Sequence, residues 1–243
     1  MKDILTDIVE HTHSLGFINL LKVSTNETET TIESLSDDKS VVLFGNTKSP
    51  VSEFSGVFGM SNLDKLNLHL KNPEYQENAI IDVINDTRNN EVVPVHIHFS
   101  NELGDFENTY RFMNKVIIEE KMKSVRFKGA KWNVTFEPAI SAVSRLRLQR
   151  AAHSEETLFN VKTVNNNLIF SFGDASSHEG SFVFHNNVSG TLSHVCSWPI
   201  NNVLSILNLN GDITMSISDQ GAMQISVDSG LAVYNYILPS QTK

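Results

Sequence analysis

The stretch FSGVFGMSNLDKLNLHL, from Phe54 to Leu70, decides the fold because a second stretch of the same design follows far along the chain. Its counterpart LSHVCSWPINNVLSILN begins at Leu192, an offset of 138 residues. Each stretch has the pattern of an apolar strand that leads into a short Leu-rich helix. A repeat of this length is too long for a solenoid and matches the usual size of a domain. The sequence therefore predicts a duplicated domain.

An earlier pair of segments supports the duplication. ILTDIVEHTH begins at Ile4 and ISAVSRLRLQR begins at Ile140, and both are short amphipathic helical patterns. A chain of 243 residues has room for two domains of about 120 residues, each with its own core. Each half reads as a helix, several strands, a second helix and a three-strand meander. This order predicts an α+β fold in which antiparallel sheets carry short helices on one face.

The domain boundaries follow from a segment with clustered charge. Residues 115–131 show little periodicity after Ile118 and are not rich in Gly or Ser, which predicts a fixed connector rather than a flexible tether. The first domain is then 1–114 and the second is 132–243. Between the first helix and Phe54, two strands are predicted, at 17–23 and 40–46.

The bulk composition indicates a protein of a reducing, aqueous compartment. Apolar residues make up 40% of the chain, and no apolar run approaches the roughly 20 residues that cross a bilayer. The N-terminus MKDILTDIVEH places acids where a signal peptide needs an apolar run. The single cysteine, Cys196, excludes a disulfide framework. We therefore expect a cytoplasmic location and no membrane partner.

Charge is distributed unevenly along the sequence. Residues 1–118 carry 9 basic and 18 acidic side chains, which accounts for the whole net charge of −9. Residues 121–150 contain eight basic side chains and one acid, Glu137. An acidic protein with one basic segment can attract a phosphate backbone at that one place. A solvated linker followed by an ordinary helix is the alternative interpretation.

The search for catalytic motifs finds little. His96 and His98 in VHIHF lie on one face of a predicted strand, where two imidazoles could share a metal, but no third ligand is apparent. A solvent-facing pair is the simpler interpretation. Phosphate-binding glycine loops, nucleophile elbows and HExxH motifs are absent from the sequence. We therefore predict a protein that is not an enzyme and that needs no cofactor or metal. A sugar- or metal-processing enzyme built around the two histidines stays open as an alternative.

Three segments carry a resemblance to a known family. They are GAMQISVDSGLAVYNYILPS at 221–240, SWPINNVLSILNLNGDITMSI at 197–217 and VSRLRLQR at 143–150. Together with the duplication, they resemble the DNA polymerase sliding clamps, or processivity factors, of T-even-type tailed phages. The resemblance extends more distantly to proliferating cell nuclear antigen (PCNA), and it covers essentially the whole chain.

The resemblance implies a ring. Clamps of this family consist of six such domains with the sheets outside and the helices lining the hole, so a two-domain chain implies a homotrimer. The implied partners are duplex DNA, bound without regard to sequence, a DNA polymerase and a clamp loader. The implied location is the cytoplasm, of the host cell if the chain is phage-encoded. No catalysis is implied.

The resemblance also assigns residues to roles. The DNA-facing set is Lys2, Lys65, Lys71, Arg145, Arg147 and Arg150. The partner-binding set is Val41, Val42, Ile117, Leu238 and Pro239. The subunit interface is expected between strands 106–113 and 181–186, with the aromatic residues Tyr110, Phe112, Phe182 and Phe184.

The sequence departs from the family pattern in three places. No opening strand precedes the helix at Ile4, and the helix at 200–209 has no basic residue. Arg147 lies near the angular position of Ile140, so the three arginines of that helix are not expected on one face. A non-enzymatic, β-rich virion or assembly protein is the alternative, and it would explain the strands but not the basic segment.

Overall fold

The computed structural model describes residues 1–88, 91–123, 127–174, 176 and 178–241. The chain divides into two compact units. Unit one comprises Met1–Arg126 together with Ser229–Tyr234, and unit two comprises Phe127–Asp228 together with Asn235–Lys243.

Unit one contains three helices and seven strands among the described residues. In chain order these are α1 (Lys2–Glu10), β1 (Leu20–Thr25), β2 (Thr30–Leu35), β3 (Val42–Thr47), β4 (Gly56–Ser61), α2 (Leu63–Lys71), β5 (Ile80–Arg88), β6 (Glu91–Ser100), β7 (Glu107–Arg111) and α3 (Lys115–Lys121). One sheet has the order β4-β1-β2-β3 and a second has the order β5-β6-β7. All of these neighbours are antiparallel, and α1 packs against α2.

Unit two contains two helices and the remaining strands of the described chain. In chain order these are β8 (Val134–Phe136), α4 (Ile140–Ala152), β9 (Leu158–Val164), β10 (Asn167–Phe172), β11 (Gly180–His185), β12 (Cys196–Pro199), α5 (Ile200–Leu207), β13 (Asp212–Ser218), β14 (Ala222–Asp228) and β15 (Ala232–Pro239), whose first three residues belong to unit one. The sheet orders are β12-β9-β10-β11 and β15-β14-β13-β8, and α4 packs against α5.

The two units repeat one strand order, which confirms the predicted duplication. The order β4-β1-β2-β3 of unit one corresponds to β12-β9-β10-β11 of unit two, and β5-β6-β7 corresponds to β13-β14-β15. The helices α1 and α2 correspond in the same way to α4 and α5. Strand β8 has no counterpart before α1 in the described part of unit one, as the sequence indicated. The predicted α+β class with antiparallel sheets is confirmed.

The core of unit one forms between the β4-β1-β2-β3 sheet and the α1/α2 helix pair. On β1, Leu21 and Val23 are buried while their neighbours are half-buried, so alternate residues face the core. Val23 lies opposite Ile32 of β2 and Phe58 of β4. On the helix side of this core, α1 contributes Leu5, which has no exposed surface. Each such side chain contributes about 1.5 to 3 kcal/mol to the free energy of folding through its burial.

Strand β2 was not predicted, because two of its three inward side chains are hydroxyls. Thr30, Ile32 and Ser34 are all buried. The Ser34 hydroxyl donates to the carbonyl of Leu20 at 2.7 Å, and Thr30 Oγ1 accepts from the amide of Val51 at 2.9 Å. These bonds replace the water that a hydroxyl would lose on burial. The apolar alternation that marks a strand is therefore absent from this sequence.

Helix α3 (Lys115–Lys121) lies within the segment that was predicted to be a fixed connector, for which no helix was expected. The Asn114 side chain caps the helix by accepting a hydrogen bond from the amide of Ile117 at 3.0 Å. Only Ile118 is buried in this helix, and it packs directly on Gly59, where a Cβ atom would lie 2.9 Å from the Ile118 side chain. A helix of seven residues with one buried position has no periodicity to detect.

No helix in the described ranges combines the length and the apolarity required to cross a bilayer.

Two buried polar contacts hold side chains in place, one in each unit. In unit one the Tyr110 hydroxyl donates to the carbonyl of Ser61 at 2.6 Å. Burial raises the pKa of Tyr110 above its usual value, and the nearby Asp64 carboxylate raises it further. In unit two Trp198 Nε1 donates to the carbonyl of Leu238 at 3.0 Å, which joins β12 to the last strand.

Replacing Tyr110 by Phe should weaken unit one without altering its packing. The variant leaves the Ser61 carbonyl without its donor, so we expect the free energy of unfolding to fall by about 1 to 2 kcal/mol in urea denaturation. The control is Thr109→Val at the exposed neighbouring position on β7, which should change stability by less than about 0.5 kcal/mol. Equal losses in the two variants would contradict the anchoring role of Tyr110.

Replacing Trp198 by Phe should destabilise unit two more strongly. The change removes the hydrogen bond to Leu238 and leaves a cavity in a fully buried site, so we expect a loss of about 2 to 4 kcal/mol. Chemical unfolding followed by circular dichroism measures the loss. Trp132→Phe makes the same change at the other tryptophan, which is half-buried, and should cost clearly less. A Trp198→Phe variant as stable as Trp132→Phe would refute this assignment.

Candidate nucleic-acid interface and partner-binding groove

The paired helices α4 and α5 form a surface that carries positive charge and no acid. Neither helix contains Asp or Glu, and α4 supplies Arg145, Arg147 and Arg150. We call this pair of helices the α4–α5 surface. Of the wider basic segment, Arg126 lies outside the described residues. Among the helices that the structure describes in full, this pair is where basic side chains gather without carboxylates to neutralise them.

Two of the arginines are held against α5. The Arg147 guanidinium donates to the side-chain oxygen of Asn208, with its Nε at 3.1 Å. Arg150 Nε donates to Asn201 Oδ1 at 3.0 Å, and its terminal nitrogen donates to the carbonyl of Ser154 at 2.9 Å. Neutral amide and carbonyl oxygens position these guanidinium groups but leave their charge uncompensated. Helix α5 has no basic residue of its own. It contributes to the positive surface through Asn201 and through Asn208 at its C-terminal end, which hold the guanidinium groups of α4 in place.

The three arginines leave α4 in different directions. Arg145 is exposed and makes no hydrogen bond or ion pair within the described residues, whereas Arg147 and Arg150 turn toward α5. Between them the solvent side of α4 exposes Ile140 by 87% and Leu148 by 71%. The outer face of the helix therefore carries two large apolar side chains, together with the exposed Ser141, between its positive groups.

The corresponding helices of unit one are nearly neutral. Lys65 and Lys71 are exposed on α2. The Lys2 ammonium group instead donates to the carbonyl of Tyr75 at 2.8 Å and to the Gln76 side chain at 3.0 Å. Lys2 therefore also ties α1 to the turn that follows α2. Exposed acids on the two helices offset the lysines; they are Asp3, Glu10 and Asp64.

A histidine lies beside Lys65 on α2. Burial lowers the pKa of His69, and the Lys65 charge lowers it further. The ring of His69 lies 5.1 Å from that of Phe99 on β6. His69 is therefore a neutral packing residue at physiological pH and adds no charge to this surface.

The strands expected at the subunit interface are both edge strands. Strand β7 is the outer strand of β5-β6-β7, and β11 is the outer strand of its own four-stranded sheet. Their aromatic residues face inward more than expected: Tyr110 and Phe184 are buried, whereas Phe112 and Phe182 are half-buried. Phe184 stacks on Phe170 with ring centroids 4.1 Å apart. Tyr110 and Phe184 thus stabilise their own units, and other side chains and the backbone form the exposed edges.

The expected partner-binding residues differ in exposure. Val41 and Leu238 are completely buried, because each belongs to the inward-facing set of its strand or strand end. Val42 is half-buried, and Ile117 and Pro239 are exposed. The side chains of Val41 and Leu238 have no exposed surface, so of this set only Val42, Ile117 and Pro239 can touch a partner.

The structure shows an apolar groove in unit one that was not predicted from the sequence. Its volume is about 500 Å³, within the roughly 300 to 1,000 Å³ that is typical of ligand sites. Residues from β4, β6, the end of β7 and the start of α3 line the groove; they are Val57, Phe58, Val93, Pro94, Val95, Arg111, Phe112, Met113, Asn114, Lys115, Val116 and Ile117. We call it the unit-one groove. Ile117 was expected to bind a partner and Phe112 to lie at the subunit interface. In the sequence, the adjacent apolar pair Val116 and Ile117 is the feature that could have indicated the groove.

His96 and His98 lie on one face of β6, as their spacing predicted. They are half-buried, and they lie opposite Ile84 and Asp82 of β5. His98 Nε2 is 3.7 Å from the Glu107 carboxylate. Burial lowers the pKa of His96, and the charges of Arg111 and His98 lower it further. Within the described residues no group of three or more potential ligands could hold a metal ion.

Comparison with known proteins identifies the fold. No protein-family model matches the chain, and no curated protein sequence matches it. Among solved structures, the C-terminal region of FEN-1 bound to A. fulgidus PCNA matches with a TM-score of 0.71 at 9% identity, covering 100% of this chain and 96% of that chain. PCNA from Thermococcus kodakaraensis matches with a TM-score of 0.68 at 11% identity, covering 98% and 97%. The chain therefore has the two-domain fold of PCNA-type sliding clamps along essentially its full length.

Proposed function

We propose that the chain is a sliding clamp, a homotrimer that encircles duplex DNA and tethers a DNA polymerase for processive synthesis. The observation that carries the proposal is the clamp fold over the full chain, with the same strand order in both units. The proposal assigns no reaction to the chain. Its role is mechanical, because a closed ring stays on DNA without needing strong contacts.

The α4–α5 surface supports the DNA-binding part of the proposal. Charges on Arg145, Arg147 and Arg150 attract phosphates of any sequence, since contacts to the backbone carry no base information. Asn201 and Asn208 hold two of these groups without neutralising them. Exposed Ile140 and Leu148 offer phosphates no hydrogen bond, which suits a surface that must release DNA as easily as it contacts it. Lys65, Lys71 and Lys2 are proposed as the weaker contribution of unit one.

The free edges of β7 and β11 support ring closure. In unit one the segment that opens β15 lies beside β3, where the Lys48 amide donates to the carbonyl of Leu231 at 2.8 Å. By the duplication, β11 is the counterpart of β3 and β7 is the counterpart of β15. We propose that β7 of one copy pairs with β11 of the next, which repeats this arrangement between subunits. Such head-to-tail pairing closes a ring and covers two otherwise open edges.

The partner proposal concerns peptides of the replication machinery. In the A. fulgidus structure the C-terminal region of FEN-1 is bound to PCNA. We extend this to the present chain and propose that a polymerase peptide contacts Val42 and Ile117 of unit one and Pro239 of unit two. Val41 and Leu238, which complete the expected set, are buried within their own units. A clamp loader is the proposed partner that opens the ring. Tethering by the ring raises the effective concentration of a weakly bound peptide.

The sequence resemblance supports a narrower assignment to the clamps of T-even-type phages, and hence a location in the cytoplasm of the host cell. The molar mass in solution is the simplest discriminator against a virion or assembly protein. A mass of about three chains of 27.1 kDa supports the clamp, and a monomer or a large open assembly opposes it.

Reversing the charge of the α4–α5 surface should impair DNA binding. In the triple variant Arg145→Glu, Arg147→Glu and Arg150→Glu, we expect processive synthesis to fall at least about tenfold and the salt dependence of DNA retention to weaken. Primer extension and retention on circular DNA after loading measure these effects. The control replaces Lys128, Lys131 and Lys162 by Glu, an identical charge change at exposed positions of unit two outside the helices. Equal effects in both variants would contradict a local DNA surface.

Proline on either edge strand should disrupt the ring. We expect Val183→Pro on β11 or Thr109→Pro on β7 to give smaller species in analytical ultracentrifugation, because proline removes a backbone donor and distorts the edge. Val195→Pro, at an exposed position just before β12, is the control and should leave the mass unchanged. Thermal unfolding confirms that each variant is folded. Folded trimers in both edge variants would show that the subunits meet elsewhere.

A further inference from the structure

We propose that the outer edge of β5 binds an extended segment of another protein as an added antiparallel strand, and that basic residues alternate with large apolar residues in this segment. The edge lies on the opposite side of the β5-β6-β7 sheet from β7, so a partner there leaves the proposed subunit contact free. This inference goes beyond the clamp proposal and does not require that the chain encircles DNA.

Unit two shows what the corresponding edge accommodates. By the duplication β13 is the counterpart of β5, and β8 pairs with the outer side of β13. The pairing is antiparallel, with Val134 opposite Ile217 and Phe136 opposite Met215. The two apolar side chains of β8 are buried, and Thr135 between them is exposed. A short segment of alternating apolar and polar residues is therefore sufficient to complete such an edge.

Strand β5 has no neighbour of this kind within the described residues. It is the outer strand of its sheet, so one row of its backbone donors and acceptors has no strand to pair with. On its inward face Ile81 is 8% exposed and Val83 is half-buried, whereas Met215 and Ile217 on β13 have no exposed surface. On its outer face Ile80 is 50% exposed. Unit one thus leaves apolar surface at an edge that is covered in unit two.

The first half of β5 has the regular geometry that an added strand needs. From Ile80 to Ile84 the strand pairs with β6 without interruption, and the register shifts only between Ile84 and Asn85. Such irregularities protect an edge from pairing, but this one leaves the stretch Ile80–Ile84 open, which is longer than β8. Residues 79–83 also line a depression of about 640 Å³ that lies within unit one.

The charge at this edge indicates a basic partner. Asp82 lies at the centre of the open stretch, is exposed, and has no hydrogen bond or ion pair with another described residue. The other charged side chains that line the depression have partners. Lys2 donates to the carbonyl of Tyr75, and Glu53 accepts from the Ser52 hydroxyl at 3.0 Å. A lysine or arginine opposite Asp82 would form a favourable pair of opposite charges across the two strands.

The same carboxylate disfavours a second copy of the chain as the occupant. Two β5 strands that pair through their regular halves, in the antiparallel register centred on Asp82, would place the two Asp82 carboxylates directly opposite each other. Like charges at opposite positions destabilise a strand pair. A different protein with a basic residue at this position does not meet that repulsion.

Peptide binding to the full chain without DNA tests the inference. The probe is a fluorescein-labelled peptide Gly-Ser-Val-Lys-Phe-Lys-Val-Ser with an amidated C-terminus, titrated by fluorescence anisotropy. A comparison peptide carries Glu in place of both Lys. We expect the lysine peptide to bind at least about tenfold more tightly. In its presence the outward-facing amides of Ile80–Ile84 should exchange their hydrogens more slowly, because the added strand accepts hydrogen bonds from them.

Methylation of the peptide backbone distinguishes strand addition from a less ordered contact. The amides of alternate residues in a strand point to opposite sides, so only one alternate set can donate to β5. One modified peptide carries N-methyl groups on both Lys residues, and another carries them on Phe and the second Val. We expect one of the two to bind at least about tenfold more weakly than the parent peptide and the other to bind like the parent.

A charge change in the protein locates the site. Asp82→Lys should reverse the preference, so that the glutamate peptide binds more tightly than the lysine peptide. The matched control is Glu119→Lys, an equal charge change at an exposed position of α3, and it should keep the preference of the unmodified protein. Thermal unfolding verifies that both variants are folded. The measurements with the modified peptides use the unmodified protein, so they test the inference even if a variant does not fold.

Several outcomes would overturn the inference. They are equal binding of the lysine and glutamate peptides, equal effects of the two backbone methylations, and equal effects of Asp82→Lys and its control. Amides of Ile80–Ile84 that are protected without peptide and lose this protection when the protein is diluted would assign the edge to a second copy instead. A failure of DNA retention alone would affect the clamp proposal and leave this inference standing.

Discussion

The whole arrangement depends on one requirement: each unit must bury one apolar face of its antiparallel sheets beneath only two short helices. Leu5 and Val23 show how this works in unit one, where helix and strand side chains meet in the interior. Because the inner face of each helix is occupied in this way, its outer face is free of packing constraints. That freedom permits Arg145, Arg147 and Arg150 on α4 without a cost to the core. The strand edges, which the helices do not cover, are left for pairing.

At the surfaces where function is proposed, hydrogen bonds of polar side chains hold neighbouring groups in fixed positions. Asn201 and Asn208 would be unremarkable on an exposed helix, yet they orient Arg150 and Arg147. Lys2, by contrast, uses its charge to connect α1 with Tyr75. Sequence position alone does not distinguish these two uses of a basic residue. The difference lies in the contacts: Arg150 and Arg147 lie against Asn201 and Asn208, whereas the Lys2 ammonium group binds the turn that follows α2.

Most of the fold was predictable because the helix pattern and the strand pattern occur twice, and each copy supports the other. The duplication, the class and most strands follow from apolar periodicity. Strand β2 could not be predicted from apolar periodicity, because Thr30 and Ser34 are buried through hydrogen bonds rather than through hydrophobicity.

The site was less predictable than the fold. Val41 and Tyr110 were assigned to surfaces by resemblance but are buried, because resemblance aligns strands and does not report which face a side chain occupies. The unit-one groove depends on residues brought together from four elements, and no short motif records it.

The contact between the two ends of the chain has a consequence for biosynthesis. Tyr234 donates its hydroxyl hydrogen to the Asp7 carboxylate at 2.7 Å, and His11 stacks on its ring at 4.6 Å, so residues near both termini complete unit one. A ribosome adds Asp7 to the chain 227 residues before it adds Tyr234. Until Tyr234 is made, the buried Asp7 carboxylate has His11 beside it at 3.3 Å but lacks the hydroxyl donor from β15. Unit one therefore acquires its complete set of contacts only after residues 229–234 have been made, so residues 1–126 emerge during translation without this part of their packing.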